Sequence, residues 1–173
     1  MFKFAIAAVA VIVASAAPAE VVSADPHGLV IRHSVTLVVP TKIAFRAFGD
    51  LPKWWNAKHS YSGDAANLSL ALTPGGCLCE RLPDGGGIEH LRVTSVEPGK
   101  SIVLTGALGP LLYEAASGVM AVKFERIAGG TRVTLDYRLA GFAAGGADTI
   151  APAVDLMLGD QLKRYRAYAA KQT

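Results

Sequence analysis

Alternating hydrophobic and polar positions mark a series of strands along most of the chain. The first predicted strand, Leu29–Val39, is rich in β-branched residues, which favour an extended conformation. Further strands, separated by turns rich in glycine and proline, are predicted over 68–72, 77–82, 88–96, 101–108, 119–127 and 131–140. The pattern therefore predicts an antiparallel sheet of about six to seven strands.

The last predicted hairpin tests whether one face of this sheet is buried. Pairing its strands across a two-residue turn at Gly129–Gly130 places Phe124 opposite Leu135 and Val122 opposite Tyr137. One face is then wholly apolar, whereas arginine, threonine and aspartate side chains occupy the other. Such alternation predicts a sheet with one buried face.

Two segments show helical rather than strand periodicity. A short helix is expected from Thr41 to Gly49, directly after the first strand. A longer helix is expected from Asp148 to about Ala170, because its apolar residues recur every three or four positions. Its apolar stripe needs a partner, and the apolar face of the sheet is the largest surface available.

The first residues of the chain have the pattern of a secretory signal peptide. Lys3 is followed by the apolar run Phe4–Val13 and then by small residues. A run of this length is too short for a membrane-spanning helix, which needs roughly twenty residues. Cleavage motifs of the small-x-small kind end at Ala16, Ala19 and Ala24.

The assignment that uses the last of these sites divides the chain into a leader, 1–24, and one domain, 25–173. A domain of this length can hold a single hydrophobic core. The leader predicts a periplasmic or secreted protein, with no stable membrane insertion after cleavage.

Several motifs resemble bacterial proteins of the START-like (SRPBCC) superfamily, which includes polyketide cyclases and activators of a heat-shock ATPase. These are "WW", "PGGCLCERLPDGGGIEHLRVTSVEPGKSIVLTGALGPL", "SGVMAVKFE", "GGTRVTLDYRLAGF" and "VDLMLGDQLKRY". The resemblance covers roughly residues 30–170. It implies an α+β helix-grip fold, in which a curved antiparallel sheet wraps the C-terminal helix and leaves a cavity for a hydrophobic ligand.

Charge and motifs exclude several other classes of function. The formal net charge is +3 and the basic residues are scattered, so no nucleic-acid partner is expected. The densest basic group lies near the end of the predicted C-terminal helix, where cations interact favourably with the helix dipole. No phosphate-binding loop, dinucleotide fingerprint or nucleophile elbow occurs in the sequence, and no cofactor is predicted.

The stretch "GGCLCERLPDGGGIEHL", residues 75–91, concentrates residue types that bind metals or move protons. If Leu82 lies opposite Ile88, the cross-strand pairs are Arg81–Glu89, Glu80–His90, Cys79–Leu91 and Cys77–Val93. This register predicts that both thiols share the apolar face with the leucines, and that Glu80, His90 and Arg92 point to the opposite face.

That register limits the chemistry of the stretch. The thiols and His90 would lie on opposite faces, so no metal site is predicted. Cys77 and Cys79 are interpreted as buried, reduced thiols in preference to a strained disulfide or a covalent attachment site. Glu80 and His90 form either a solvated ion pair or, if the segment with Trp54 and Trp55 covers them, an acid–base pair.

The favoured function is the binding of a small hydrophobic or amphipathic molecule between sheet and C-terminal helix, by an exported carrier or sensor. The candidate ligand-binding residues are Leu70, Cys77, Cys79, Arg81, Leu91, Leu104, Met120, Val122, Tyr137, Met157 and Leu158. The alternative is a cyclase- or hydrolase-type enzyme that uses Glu80 and His90 as acid and base. The connection Gly106–Gly118 is long enough to cover a cavity.

Overall fold

The computed structural model describes residues 20–141 and 144–173. The strands are β1 (Glu20–Asp25), β2 (Gly28–Leu37), β3 (Leu68–Leu70), β4 (Cys77–Arg81), β5 (Gly87–Glu97), β6 (Ser101–Gly106), β7 (Ala116–Ile127) and β8 (Gly130–Gly141). The helices are α1 (Thr41–Gly49) and α2 (Ala147–Ala169). Short 3-10 helices lie at Leu51–Lys53, Ala57–His59, Ala65–Asn67, Pro83–Gly85 and Gly109–Tyr113.

The strands form one open antiparallel sheet in the order β1-β2-β8-β7-β6-β5-β4-β3. Together with the long helix α2 this is the predicted α+β helix-grip fold, and both helices lie where their periodicity placed them. The sheet has eight strands rather than six or seven because β1 is an additional strand at its edge. β1 overlaps the end of the predicted leader, whose residues 1–19 lie outside the described part of the chain.

The C-terminal helix packs over the β1–β2 side of the sheet. α2 contacts β2, β1 and α1. The approach to β2 is close: a Cβ atom added at Gly159 would lie 2.9 Å from the Cε1 atom of His33. Tyr165 is fully buried, and its hydroxyl donates a hydrogen bond of 2.7 Å to the carbonyl of Ala44 in α1. These contacts hold α2 against both the sheet and α1.

An aromatic cluster fills the space between the two helices and the sheet. Phe48 lies at its centre, with ring centroids 5.3 Å from Trp54, 5.3 Å from Tyr165 and 6.0 Å from Phe124. The indole N–H of Trp54 donates to the carbonyl of Ala47, so its one polar group is satisfied inside the core. This part of the molecule is packed without a large void.

The hairpin β7–β8 has the predicted faces but a different register. Val122 pairs with Leu135 and Phe124 with Val133, a shift of two residues from the expected pairs. The turn consists of Ala128 and Gly129, because Gly130 already pairs with Ile127. A shift of two residues keeps every side chain on its face, so the apolar face survives the error.

Candidate functional site

A cavity of about 440 Å³ lies between α2, the β3–β5 end of the sheet and two connecting segments. Its lining residues are Trp55, Lys58, His59, Ser60, Tyr61, Leu68, Leu78, His90, Leu108, Gly109, Pro110, Leu111, Ile150, Ala153, Val154 and Met157. Most of these side chains are apolar. The polar ones belong to the segment 58–61 and to His90, on which the ring of Tyr61 stacks with centroids 5.9 Å apart. The polar part of the lining is therefore concentrated in one wall.

Hydrogen bonds fix the segment that supplies this wall. The backbone N–H of Asn56 donates to the Gln161 side chain at 2.9 Å, and its side-chain amide donates to Asp160 at 2.7 Å. The Gln161 amide nitrogen lies 2.7 Å from Nδ1 of His59. The indole N–H of Trp55 donates to the carbonyl of His59. The segment is thus tied to α2, which forms the facing wall.

Glu80 and His90 form a buried pair at the edge of the cavity. The Nε2 atom of His90 lies 3.0 Å from Oε2 of Glu80, and the two residues are 6% and 2% exposed. The carboxylate also accepts hydrogen bonds from the backbone N–H groups of Tyr61 and Ser62, at 3.2 and 2.6 Å. Glu80 therefore joins the wall segment to strand β5.

The environment of Glu80 favours its ionised form. Burial raises the pKa of this carboxyl group, but hydrogen bonds from Ser62, His90 and Tyr61 outweigh it and hold the pKa below its ordinary value of 4.5. An ionised carboxylate can only accept hydrogen bonds, so Nε2 of His90 carries a proton that it donates to Glu80. In the neutral ring, Nδ1 is then the basic nitrogen, and it is buried without a hydrogen-bond partner among the described residues.

A β-bulge turns His90 toward the cavity. Leu78 on β4 pairs with Leu91 on β5, but the next residue, Cys79, pairs with Glu89, so His90 is the extra residue. As a result the consecutive residues His90 and Leu91 are both buried. The predicted register of this hairpin is therefore wrong. Glu80 and His90 do meet, as predicted, but on the inner face of the sheet.

The same change of face moves the thiols to the outside. Cys77 and Cys79 are half-buried on the face that also carries the exposed Glu89 and Arg92, while Leu78 between them lines the cavity. The prediction of reduced thiols on the apolar face is also wrong, because the two sulfur atoms form a disulfide. With a Cα–Cα distance of 5.3 Å, the strand is contracted enough at the bulge to allow the bridge.

The remaining predicted ligand-binding residues fall into four groups. Met157 lines the cavity, whereas Leu70, Leu104, Met120 and Leu158 surround a separate small void of about 20 Å³. Leu91, Val122 and Tyr137 are buried in the core. Arg81 is exposed on the outer face with the cysteines, and its guanidinium contacts the carbonyl of Ala66 at 3.5 Å.

Tyr137 is a core residue in this structure. Its hydroxyl accepts a hydrogen bond of 3.3 Å from the backbone N–H of Leu108. Burial raises the pKa of Tyr137 to about 12, an effect that this hydrogen bond partly offsets. The contact anchors the start of the segment 108–111, which forms another wall of the cavity.

Sequence reasoning missed most of the lining because it comes from connections rather than from strands. The segments 55–61 and 108–111 have no hydrophobic period that would assign a face. The only available signals were the two adjacent tryptophans, Trp54 and Trp55, in a segment without periodicity, and the length of the connection Gly106–Gly118. Those signals indicate a cover but not which side chains turn inward.

Over residues 20–141 and 144–173, the one group of three or more potential metal ligands is Cys77, Cys79 and Glu89, and its sulfur atoms are joined in the disulfide. In the same part of the chain, no helix combines the length and apolar character needed to cross a bilayer.

Solved bacterial structures share this fold at low sequence identity. The Mll3558 protein from Rhizobium loti is 21% identical, with a TM-score of 0.62 over 82% of this chain and 96% of that chain. An uncharacterised protein from Rhizobium leguminosarum is also 21% identical, with a TM-score of 0.54 over 85% of this chain and 96% of that one. Likeness at this level shows the fold alone.

A third similar structure is DynU16, a protein of the dynemicin biosynthetic locus. It is 17% identical to this chain, with a TM-score of 0.57, and the match covers 82% of this chain and 47% of DynU16. No family model and no curated protein matches the sequence.

Proposed function

We propose that this protein binds a small hydrophobic or amphipathic molecule in the cavity between α2 and the β3–β5 end of the sheet, as an exported carrier or sensor. The observation that carries the proposal is the cavity itself. Its volume of about 440 Å³ lies in the range of roughly 300–1,000 Å³ that is typical of small-molecule sites. The resemblance to the START-like superfamily and the shared helix-grip fold support the same conclusion.

The lining chemistry favours a ligand with one apolar body and one polar end. Each 100 Å² of apolar ligand surface removed from water contributes about 2.5 kcal/mol, before the entropic cost of binding. The polar end would lie against the wall formed by 58–61 and His90. Lys58 and His59 in that wall are exposed, so this end of the ligand would face the solvent.

The proposed export rests on the predicted leader, and the position of β1 favours some of the predicted cleavage sites over others. Cleavage after Ala16 or Ala19 leaves β1 whole, whereas cleavage after Ala24 removes nearly all of it. β1 pairs with β2, and Val21 packs against the core. We therefore propose a mature chain that begins before β1 rather than at position 25. The intact mass of the exported protein tests this point.

The binding proposal is tested by filling the cavity. Ala153 lines it, whereas Leu156 lies on the same helix and is 76% exposed. We expect Ala153→Trp to weaken the binding of 1-anilinonaphthalene-8-sulfonate, an amphipathic fluorescent probe, at least tenfold, and Leu156→Trp to change it less than twofold. Equal affinities for both variants would contradict the proposal. Native mass spectrometry of protein from its exporting cell would in addition detect a co-purifying ligand.

A second candidate function is a cyclase- or hydrolase-type enzyme that uses the same cavity. The observation in its favour is the buried contact between Glu80 and His90, because an ionised carboxylate that orients a histidine is a common arrangement for a general base. Glu80 would orient the ring, and His90, which lines the cavity, would take a proton from the reacting molecule there.

Hydrolysis of a p-nitrophenyl ester with a short acyl chain tests this second function. We expect Glu80→Gln and His90→Gln to abolish turnover if the pair is the acid–base group. Glu89→Gln is the matched control, since it removes a carboxylate from the same hairpin on the outer face. Equal rates for the wild type, Glu80→Gln and His90→Gln would exclude the enzymatic function for such esters.

A further inference from the structure

The disulfide between Cys77 and Cys79 contributes little as a structural staple. Disulfides stabilise a fold mainly by closing loops in the unfolded chain, and the effect grows with loop length. Here the bridged residues are two positions apart, so the loop contains only Leu78. The two cysteine residues are also only half-buried, on the outer face beside the exposed residues Glu89 and Arg92. A bridge of this kind is accessible to reagents in solution.

The bridge spans a contracted part of β4. Residues two apart in a regular strand are separated by about 6.6 Å, whereas the Cα atoms of Cys77 and Cys79 are 5.3 Å apart. The contraction coincides with the bulge, because Leu78 is the residue at which the register with β5 shifts. Reduction removes the covalent link that keeps these two residues close.

The residues that this geometry positions line the cavity or are buried at its edge. Leu78, inside the bridged loop, lines it, and Glu80 follows Cys79 directly in the chain. His90 faces the cavity because it is the extra residue of the bulge opposite Leu78. In an unbulged ladder continued from the Leu78–Leu91 pair, Cys79 would pair with His90 and Glu80 with Glu89. Like charges would then lie opposite each other, and His90 would turn to the outer face.

We propose that Cys77–Cys79 is a thiol–disulfide exchange site for an external dithiol, and that its redox state decides whether His90 is held against Glu80 at the cavity. In the first step, a thiolate of the dithiol attacks one sulfur atom, forms a mixed disulfide and releases one protein thiolate. The second thiol of the reagent then displaces the other cysteine. The protein disulfide gains two electrons and two protons, and the dithiol is oxidised to its own disulfide.

The test follows the imidazole nitrogen resonances of the histidines in the oxidised protein while dithiothreitol is added. We expect two thiols to appear per chain and the His90 resonances to move, while those of His33 stay in place. His33 is the internal reference because it is buried on β2, beside α2 and away from the bridge. The double variant Cys77→Ser/Cys79→Ser is expected to show the His90 resonances of the reduced protein whether or not reductant is present.

Three results would overturn this inference. The first is that no thiols appear in the folded protein, so that the bridge does not exchange. The second is that both thiols appear but the His90 resonances do not move. The third is that His33 shifts together with His90, which means that the bridge supports the whole fold. None of these measurements needs a bound ligand. The redox inference can therefore fail while the proposed binding function stands, and the binding function can fail while the redox inference stands.

Discussion

The interior of the protein is densely packed toward one end of the sheet and contains a cavity at the other end. At the packed end, which extends from β1 and β2 to the central strand β7, α2 lies so close to β2 that Gly159 has no room for a Cβ, and Phe48 sits against β7 among three other aromatic rings. At the β3–β5 end, two connecting segments hold the walls apart around a cavity of about 440 Å³. The packed end contains the aromatic core, whereas the open end contains the buried Glu80–His90 pair. We infer that the packed end supplies the stability that lets the open end remain hollow.

The largest expected difference between the ends comes from truncating their apolar side chains. Phe48→Ala should lower the free energy of unfolding by about 3–5 kcal/mol, because it leaves a cavity in a packed core. Met157→Ala, in the wall of the open end, should lower it by only about 1 kcal/mol, since its side chain already borders empty space. Urea unfolding measures both. Similar losses would show that the ends do not differ in packing.

A smaller effect is expected from the polar pair of the open end. Glu80→Gln should lower the free energy of unfolding by about 1–3 kcal/mol at neutral pH, because it weakens several hydrogen bonds to a buried charge. The pKa of Glu80 is lower in the folded than in the unfolded state, so its contribution is complete above 4.5 and is lost as the pH falls through the folded value. The difference in the free energy of unfolding between wild type and Glu80→Gln should therefore decrease at acidic pH. A difference that does not depend on pH would contradict this role.

The close approach of α2 to β2 at Gly159 predicts that a larger residue there lowers the free energy of unfolding by about 1 kcal/mol. Overpacking costs about 1–3 kcal/mol, and the higher helix propensity of alanine offsets about 1 kcal/mol of it. Gly159→Ala should therefore destabilise the protein, because the new Cβ meets His33. In a His33→Ala background the same substitution should be neutral or stabilising. If both backgrounds give the same change in thermal or urea unfolding, the contact with His33 does not limit the approach of α2.

The smallest effect is expected on the outer face of the open end. Glu89 pairs with Arg92 at 2.6 Å, but both side chains are exposed to water. Glu89→Gln should change the free energy of unfolding by less than about 0.5 kcal/mol. Comparison with Glu80→Gln, on the neighbouring strand, measures how much burial adds to the value of a carboxylate. A loss as large as that of Glu80→Gln would mean that the two faces are not distinguished by burial.

Much of the fold could be predicted from the sequence. The helices α1 and α2 begin and end within a residue or two of their predicted limits, because their periodicity is a local property of the chain. The faces of β7 and β8 were also predicted correctly although the register was shifted by two, since an even shift preserves the face of every side chain. The additional strand β1 was missed because its residues were assigned to the leader.

The candidate site, by contrast, was decided by the tertiary structure. The chain itself determined that two thiols, an acid and a histidine lie close together on one hairpin. Only the folded sheet, with a bulge at His90, decided that the acid and the histidine are buried together on the inner face and that the disulfide lies on the outer face. The physical reason is that strand alternation assigns faces only while the ladder is regular. A single extra residue reverses the assignment, and whether it is inserted depends on pairing and packing across strands rather than on the local pattern.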